Sequence, residues 1–108
     1  MEELNVSQAQ VSDDSLRGWK SPPRLRKLVL ANNAFTNASL PGILGSPELE
    51  ELNMQKVPGI SDPGLNYLVK RLGLRMLQLD QTGVTLQSAQ QLKRLMPETR
   101  VGIAGTIY

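Results

Sequence analysis

Five apolar anchors, Leu4, Leu28, Leu52, Leu77 and Val101, fall 24, 24, 25 and 24 residues apart. Around three of them one phrase recurs almost unchanged: Leu25-x-x-Leu28-x-Leu30, Leu49-x-x-Leu52-x-Met54 and Leu74-x-x-Leu77-x-Leu79. Worn forms flank these at Leu4-x-Val6 and Val101-x-Ile103. A fixed period of roughly 20–50 residues marks stacked supersecondary units, none of which can bury its apolar face alone. The functional question therefore concerns surfaces rather than a single catalytic cleft.

A second phrase fills the intervals. It reads Val11-Ser12-Asp13-Asp14-Ser15-Leu16, then Phe35-Thr36-Asn37-Ala38-Ser39-Leu40, then Ile60-Ser61-Asp62-Pro63-Gly64-Leu65, then Val84-Thr85-Leu86-Gln87-Ser88-Ala89. The leucine phrase alternates about its last two apolar residues, which predicts a short strand with one face inward. The hydroxyl phrase predicts a helix start. Ser61 or Asp62 is placed to cap a first turn, with Pro63 at the first helical position. Ser12 and Asp13 offer the same start, and Asp14 suits the helix dipole. Leu65, Leu68 and Leu72 share one helical face, as do Ala89, Leu92 and Leu95. Trp19 takes the place of Leu68 and Leu92, so it is expected beneath the first helix. Pro41-Gly42 predicts a short second helix. Pro22-Pro23, Pro47 and Pro97 end helices just before new strand phrases, and Gly45 and Gly73 suit the same turns.

The order strand, loop, helix, loop, repeated, predicts an α/β chain with a parallel sheet on one side and helices on the other. The phrase Leu25-x-x-Leu28-x-Leu30-x-x-Asn33 and its copies resemble the leucine-rich repeat family. Ile60-Ser-Asp-Pro-Gly-Leu65 and Val11-Ser-Asp-Asp-Ser-Leu16 are similar to the ribonuclease-inhibitor-like branch, especially the repeats of F-box leucine-rich proteins. The resemblance covers nearly the whole chain. It implies a solenoid with a curved parallel sheet on the concave side and helices on the convex side. About four repeats and a closing C-terminal strand, Arg100 to Tyr108, make one domain over residues 1–108.

Two departures stand out. The family's Asn or Cys after the strand appears only as Asn33; Ala9, Val57 and Thr82 hold the matching places. A side-chain ladder to the loop backbones is thus expected to be mostly missing. No F-box segment precedes the repeats, so membership of a ubiquitin-ligase complex does not carry over. The chain also opens inside a strand phrase. A fragment of a longer protein is the favoured expectation, over an edge strand blunted by Glu2 and Glu3.

Composition narrows the chemistry. The 108 residues contain no Cys and no His. Disulfides, thiolate metal sites and Ser-His or Cys-His catalysis are excluded for this chain alone. No cofactor is implied, no carboxylates are spaced for calcium, and no Gly-rich loop is built for phosphate. The chain is therefore expected not to be an enzyme. Twelve Lys and Arg against ten Asp and Glu leave a net charge of only +2, little reason to propose nucleic acid. No apolar run approaches the roughly 20 residues of a membrane span. Met1-Glu2-Glu3 does not open a signal peptide, so the expected compartment is cytoplasm or nucleus.

The strand residues flanking the inward leucines form three rows on the predicted concave face. The first is Glu3, Lys27, Glu51, Met76 and Arg100. The second is Asn5, Val29, Asn53, Gln78 and Gly102. The third is Ser7, Ala31, Gln55, Asp80 and Ala104. Lys27, Val29, Glu51, Asn53, Gln55, Met76, Gln78 and Asp80 are the expected contacts for another protein, of unspecified identity. The plainer account is that Glu3, Lys27 and Glu51 pair with one another across strands, each pair contributing about 0–1 kcal/mol. A second candidate is basic: Lys20, Lys70, Arg71, Lys93 and Arg94 near convex helix ends, suited to anionic lipid or RNA. Helix-dipole complementarity is the favoured account of them, and no aromatic residues interleave to stack bases. Three functions are carried forward: a protein-interaction or scaffolding module, a substrate-recognition part of a ubiquitin ligase, and an anionic-surface binder.

Overall fold

Equivalent anchors become equivalent strands. The computed structural model describes residues 3–7, 11–17, 24–70, 73–103 and 105–107. Strands β1 (Glu3–Asn5), β2 (Lys27–Val29), β3 (Glu51–Asn53), β4 (Met76–Gln78) and β5 (Arg100–Ile103) pair in parallel, in sequence order. Leu4, Leu28, Leu52, Leu77 and Val101 stand side by side across all five. The parallel ladder runs past the strand ends, through bonds such as Leu30 N–H to Asn53 O (2.8 Å) and Lys56 N–H to Asp80 O (2.8 Å). A sixth strand, β6 (Thr106–Ile107), joins antiparallel to β5. The protein is thus an α/β structure with a five-stranded parallel sheet and helices.

The core fills the space between this sheet and the helices. Leu28, Leu52 and Leu77 from the strands are at most 1% exposed and share one cluster with Leu40, Ile43, Leu68 and Leu92 from the helices. Phe35 and Ile60, which begin the hydroxyl phrases, are fully buried in it. Burying each such side chain contributes about 1.5–3 kcal/mol. The first unit is looser: Leu4, Val6, Val11 and Leu16 pack against the cluster while only half-buried.

The helices are brief. These are α1 (Asp13–Leu16), α2 (Leu40–Ile43), α3 (Leu65–Leu68) and α4 (Leu86–Leu95), and single 3-10 turns at Asn37–Ser39 and Asp62–Gly64 lead into α2 and α3. Pro41 sits within the first turn of α2, which ends by Leu44, so that helix is short as expected. In α4 the expected inward trio is corrected. Ala89 and Leu92 are buried, but Leu95 is 64% exposed and Met96 takes the inward place. Pro97 disfavours helical backbone in its predecessor, and Met96 leaves the helix with φ of −129° and ψ of 67° and is buried. Trp19, Leu72 and Pro22-Pro23 lie outside the described residues.

Strands β2 to β5 each exit through a left-handed residue four positions after the anchor. Asn32, Lys56 and Gln81 have φ of 59°, 59° and 58°, and Gly105 has φ of 78°. At the last site the residue is glycine, which adopts this conformation without steric cost. There the chain reverses, pairing Ile103 with Thr106 and Gly102 with Ile107. The expected single closing strand is therefore a hairpin.

Candidate functional site

The strands carry the first two predicted rows in the predicted register. Glu3, Lys27, Glu51, Met76 and Arg100 are neighbours, as are Asn5, Val29, Asn53, Gln78 and Gly102. Most of these side chains are already engaged. Lys27 Nζ lies 3.8 Å from Glu3, so that half of the alternating row pairs internally. Asn53 Oδ1 accepts the N–H of Gln55 at 3.0 Å, and Asn5 holds Ser7 in the same way. Gln55 Nε2 donates to Gln78 Oε1 at 3.1 Å. The Gln78 side chain lies over Gly102, filling the room a Cβ would need. Asp80 accepts the N–H of Gly105 at 2.8 Å and so ties the hairpin turn to the sheet. Ala104 lies outside the described residues.

Val29 is a correction. It was expected as an apolar contact but is only 9% exposed. Its short branched side chain stands between Asn5 and Asn53 in register.

What remains open is Glu51, Met76 and Arg100, on β3, β4 and β5. Glu51 and Arg100 are exposed and Met76 is half-buried between them. Among the described residues neither charge has an ion-pair partner. The pairing occurs one residue earlier, where Glu50 sits 3.4 Å from Arg75 and 3.8 Å from Arg26. The open trio borders a cleft of about 660 Å³ whose rim includes Arg75 and Glu98. A smaller hollow of about 130 Å³ continues from Met76 toward Lys27 and Asn53. Arg100 was in the predicted row but not among the expected contacts. Its place opposite Met76 was the available signal.

The helix side offers less. Lys93 Nζ donates to the carbonyls of Pro97 (2.9 Å) and Thr99 (2.7 Å), fastening the loop after α4. Lys70 and Arg94 are exposed, and Lys20 and Arg71 lie outside the described residues. Of that basic set, Lys93 is thus committed to the protein's own backbone.

The hydroxyl-aspartate phrase does more than start helices. Asp13 Oδ1 accepts the Thr36 N–H at 2.8 Å, Asn37 Oδ1 accepts the Ser61 N–H at 3.1 Å, and Asp62 Oδ1 accepts the Thr85 N–H at 2.9 Å. Each acidic or amide residue thus grips the hydroxyl residue of the next unit. Asp13 also takes the hydroxyls of Thr36 and Ser39, and Asp62 that of Thr85. These bonds favour the carboxylate: Asp13 titrates below its ordinary value chiefly through Ser39, and Asp62 chiefly through the Thr85 N–H. Of the two expected cap residues, Ser61 or Asp62, the Ser61 side chain makes no cap bond; its hydroxyl accepts from Asn37 Nδ2. Ser12 does cap, accepting from the Ser15 N–H.

Asn33 supplies the other inter-unit link expected of it. It is buried, accepts from the Val11 N–H and donates to the carbonyls of Val6 and Leu30. Thr82 replaces it in part, donating to Leu79 O and accepting from the Val84 N–H.

No described helix is long and apolar enough to cross a membrane. The described residues also hold no group of three or more acidic residues arranged to bind a metal. Comparison with protein-family models and with curated proteins finds no match.

Proposed function

We propose that this chain is a leucine-rich repeat solenoid that acts as a protein–protein interaction module. The repeat register supports the solenoid: five parallel strands, about 24 residues apart, share side-chain positions, and the last four of them share left-handed exits. The observation that carries the binding function is the Glu51–Met76–Arg100 row. It is a polar and apolar surface on a hydrogen-bonded sheet, with its charges uncommitted to the protein itself. Solenoids of this kind use such extended faces for recognition. A preformed sheet would bind with little rearrangement and little ordering cost.

The test is affinity capture from cells followed by direct titration of each purified partner. Met76→Arg places a bulky charge in the row without touching the core. Loss of a partner's binding with this variant, and its retention by Lys70→Glu on the helix side, supports the sheet-face function. Equal binding by both variants and the native protein overturns it.

A further inference from the structure

We propose that the Glu51–Met76–Arg100 row receives an α-helix from a partner protein, one bearing an acidic, an apolar and a basic side chain at positions i, i+3 and i+7. The acidic group meets Arg100, the apolar group covers Met76 and the basic group meets Glu51. The assignment rests on the sheet-face function above and names the partner's chemistry.

The spacing selects the helix. Adjacent strands are about 4.8 Å apart, so the three side chains spring from points at about 0, 4.8 and 9.6 Å along the row. A helix lying along it presents residues i, i+3 and i+7 at about 0, 4.5 and 10.5 Å. An extended strand places side chains of one face about 6.6 Å apart and falls out of step with the row. The charges also lack an internal solution. Glu51 and Arg100 are separated by a whole strand carrying Met76, a distance beyond the Debye length of about 8 Å at physiological salt. Lys27, the other neighbour of Glu51, leans toward Glu3. Arg75 leans toward Glu50. Glu98 borders the same cleft, and among the described residues it makes no ion pair with Arg100. Acidic before basic is also the order that stabilises the helix itself.

The test uses an alanine-based helical peptide of about 18 residues carrying Glu, Leu and Lys at i, i+3 and i+7, titrated into the isotopically labelled full chain. Shifted amides at Glu51, Met76 and Arg100 are expected. The double variant Glu51→Arg, Arg100→Glu, checked for a native amide spectrum, should lose about tenfold in affinity. It should recover that affinity toward a peptide with Glu and Lys exchanged. No binding, or binding indifferent to the exchange, overturns the proposal. A cellular partner lost with Met76→Arg but untouched by the charge exchange sinks the helix proposal alone. A partner untouched by either removes the sheet-face function with it.

Discussion

The carboxylate of Asp13 holds both the backbone N–H of Thr36, at 2.8 Å, and its hydroxyl, at 2.7 Å, across 23 positions of chain. Asp62 repeats the grip on Thr85. Between them Asn37 holds Ser61. The series stops where Leu86 takes the aspartate's place.

Removing a rung should loosen two units at once. Asp13→Ala is expected to cost about 1–2 kcal/mol, since it strands the Thr36 N–H as well as two hydroxyls. Solvent screening keeps the effect below that of a buried charge. Asp14→Ala is the control: its carboxylate meets only the exposed Arg17 and should cost about 0–1 kcal/mol. Urea titration of both variants measures the difference.

The same rungs predict an acid response. Asp13 and Asp62 are depressed in the folded state relative to their ordinary value of 3.8. Their stabilisation is therefore fully present above that value and is lost as pH falls through the lower folded values. The thermal midpoint should drop as pH is lowered below about 4. The double variant Asp13→Asn, Asp62→Asn should flatten that drop.

Glycines divide sharply. A Cβ at Gly59 would come within 2.5 Å of the Phe35 carbonyl, which is backbone and cannot swing aside. Gly59→Ala should cost about 1–3 kcal/mol by overpacking. Gly73 has nothing within 4 Å of the same atom, and Gly73→Ala should be close to neutral. Chemical denaturation of the pair checks this.

The strand exits offer a stabilising change. Lys56 is exposed and left-handed, with φ of 59°. That conformation costs an ordinary side chain about 1–2 kcal/mol and glycine almost nothing. After glycine's larger loss of chain entropy, Lys56→Gly should still raise stability by up to about 1 kcal/mol. Gly105→Ala, at φ of 78°, should lower it. A reversed order in the thermal midpoints would refute this account of the turns.

Stability should also grade along the sheet. The N–H of Val6, bonded to Val29 O, lies in the half-buried first unit, whereas that of Met54, bonded to Gln78 O, is enclosed by buried leucines. Hydrogen exchange at Val6 should be faster by an order of magnitude or more.

Strand register was legible because Leu28, Leu52 and Leu77 recur at one spacing, and a one-residue slip would turn each out of the core. The exposed rows followed from it. The role of Asp13 and Asp62 was not, because a Ser-Asp pair before an apolar run reads equally as a helix cap; only the neighbouring unit reveals the second partner. Leu95 and Met96 exchanged roles because helical periodicity ends at the proline that follows them. The burial of Val29 was not legible, because alternation gives the face a side chain takes and not how far it stays exposed there. The hairpin was hidden in Ala104-Gly105, an ordinary pair until the left-handed exits of three earlier units are known.

That last turn bears on polymerisation. A sheet of parallel strands is a template, and a second copy placed head to tail would extend it indefinitely if both edges ran the same way. Here one edge is β6, two residues long and running opposite to the rest. Among the described strands, a copy approaching at that edge meets an antiparallel ribbon, not a continuation of the parallel ladder.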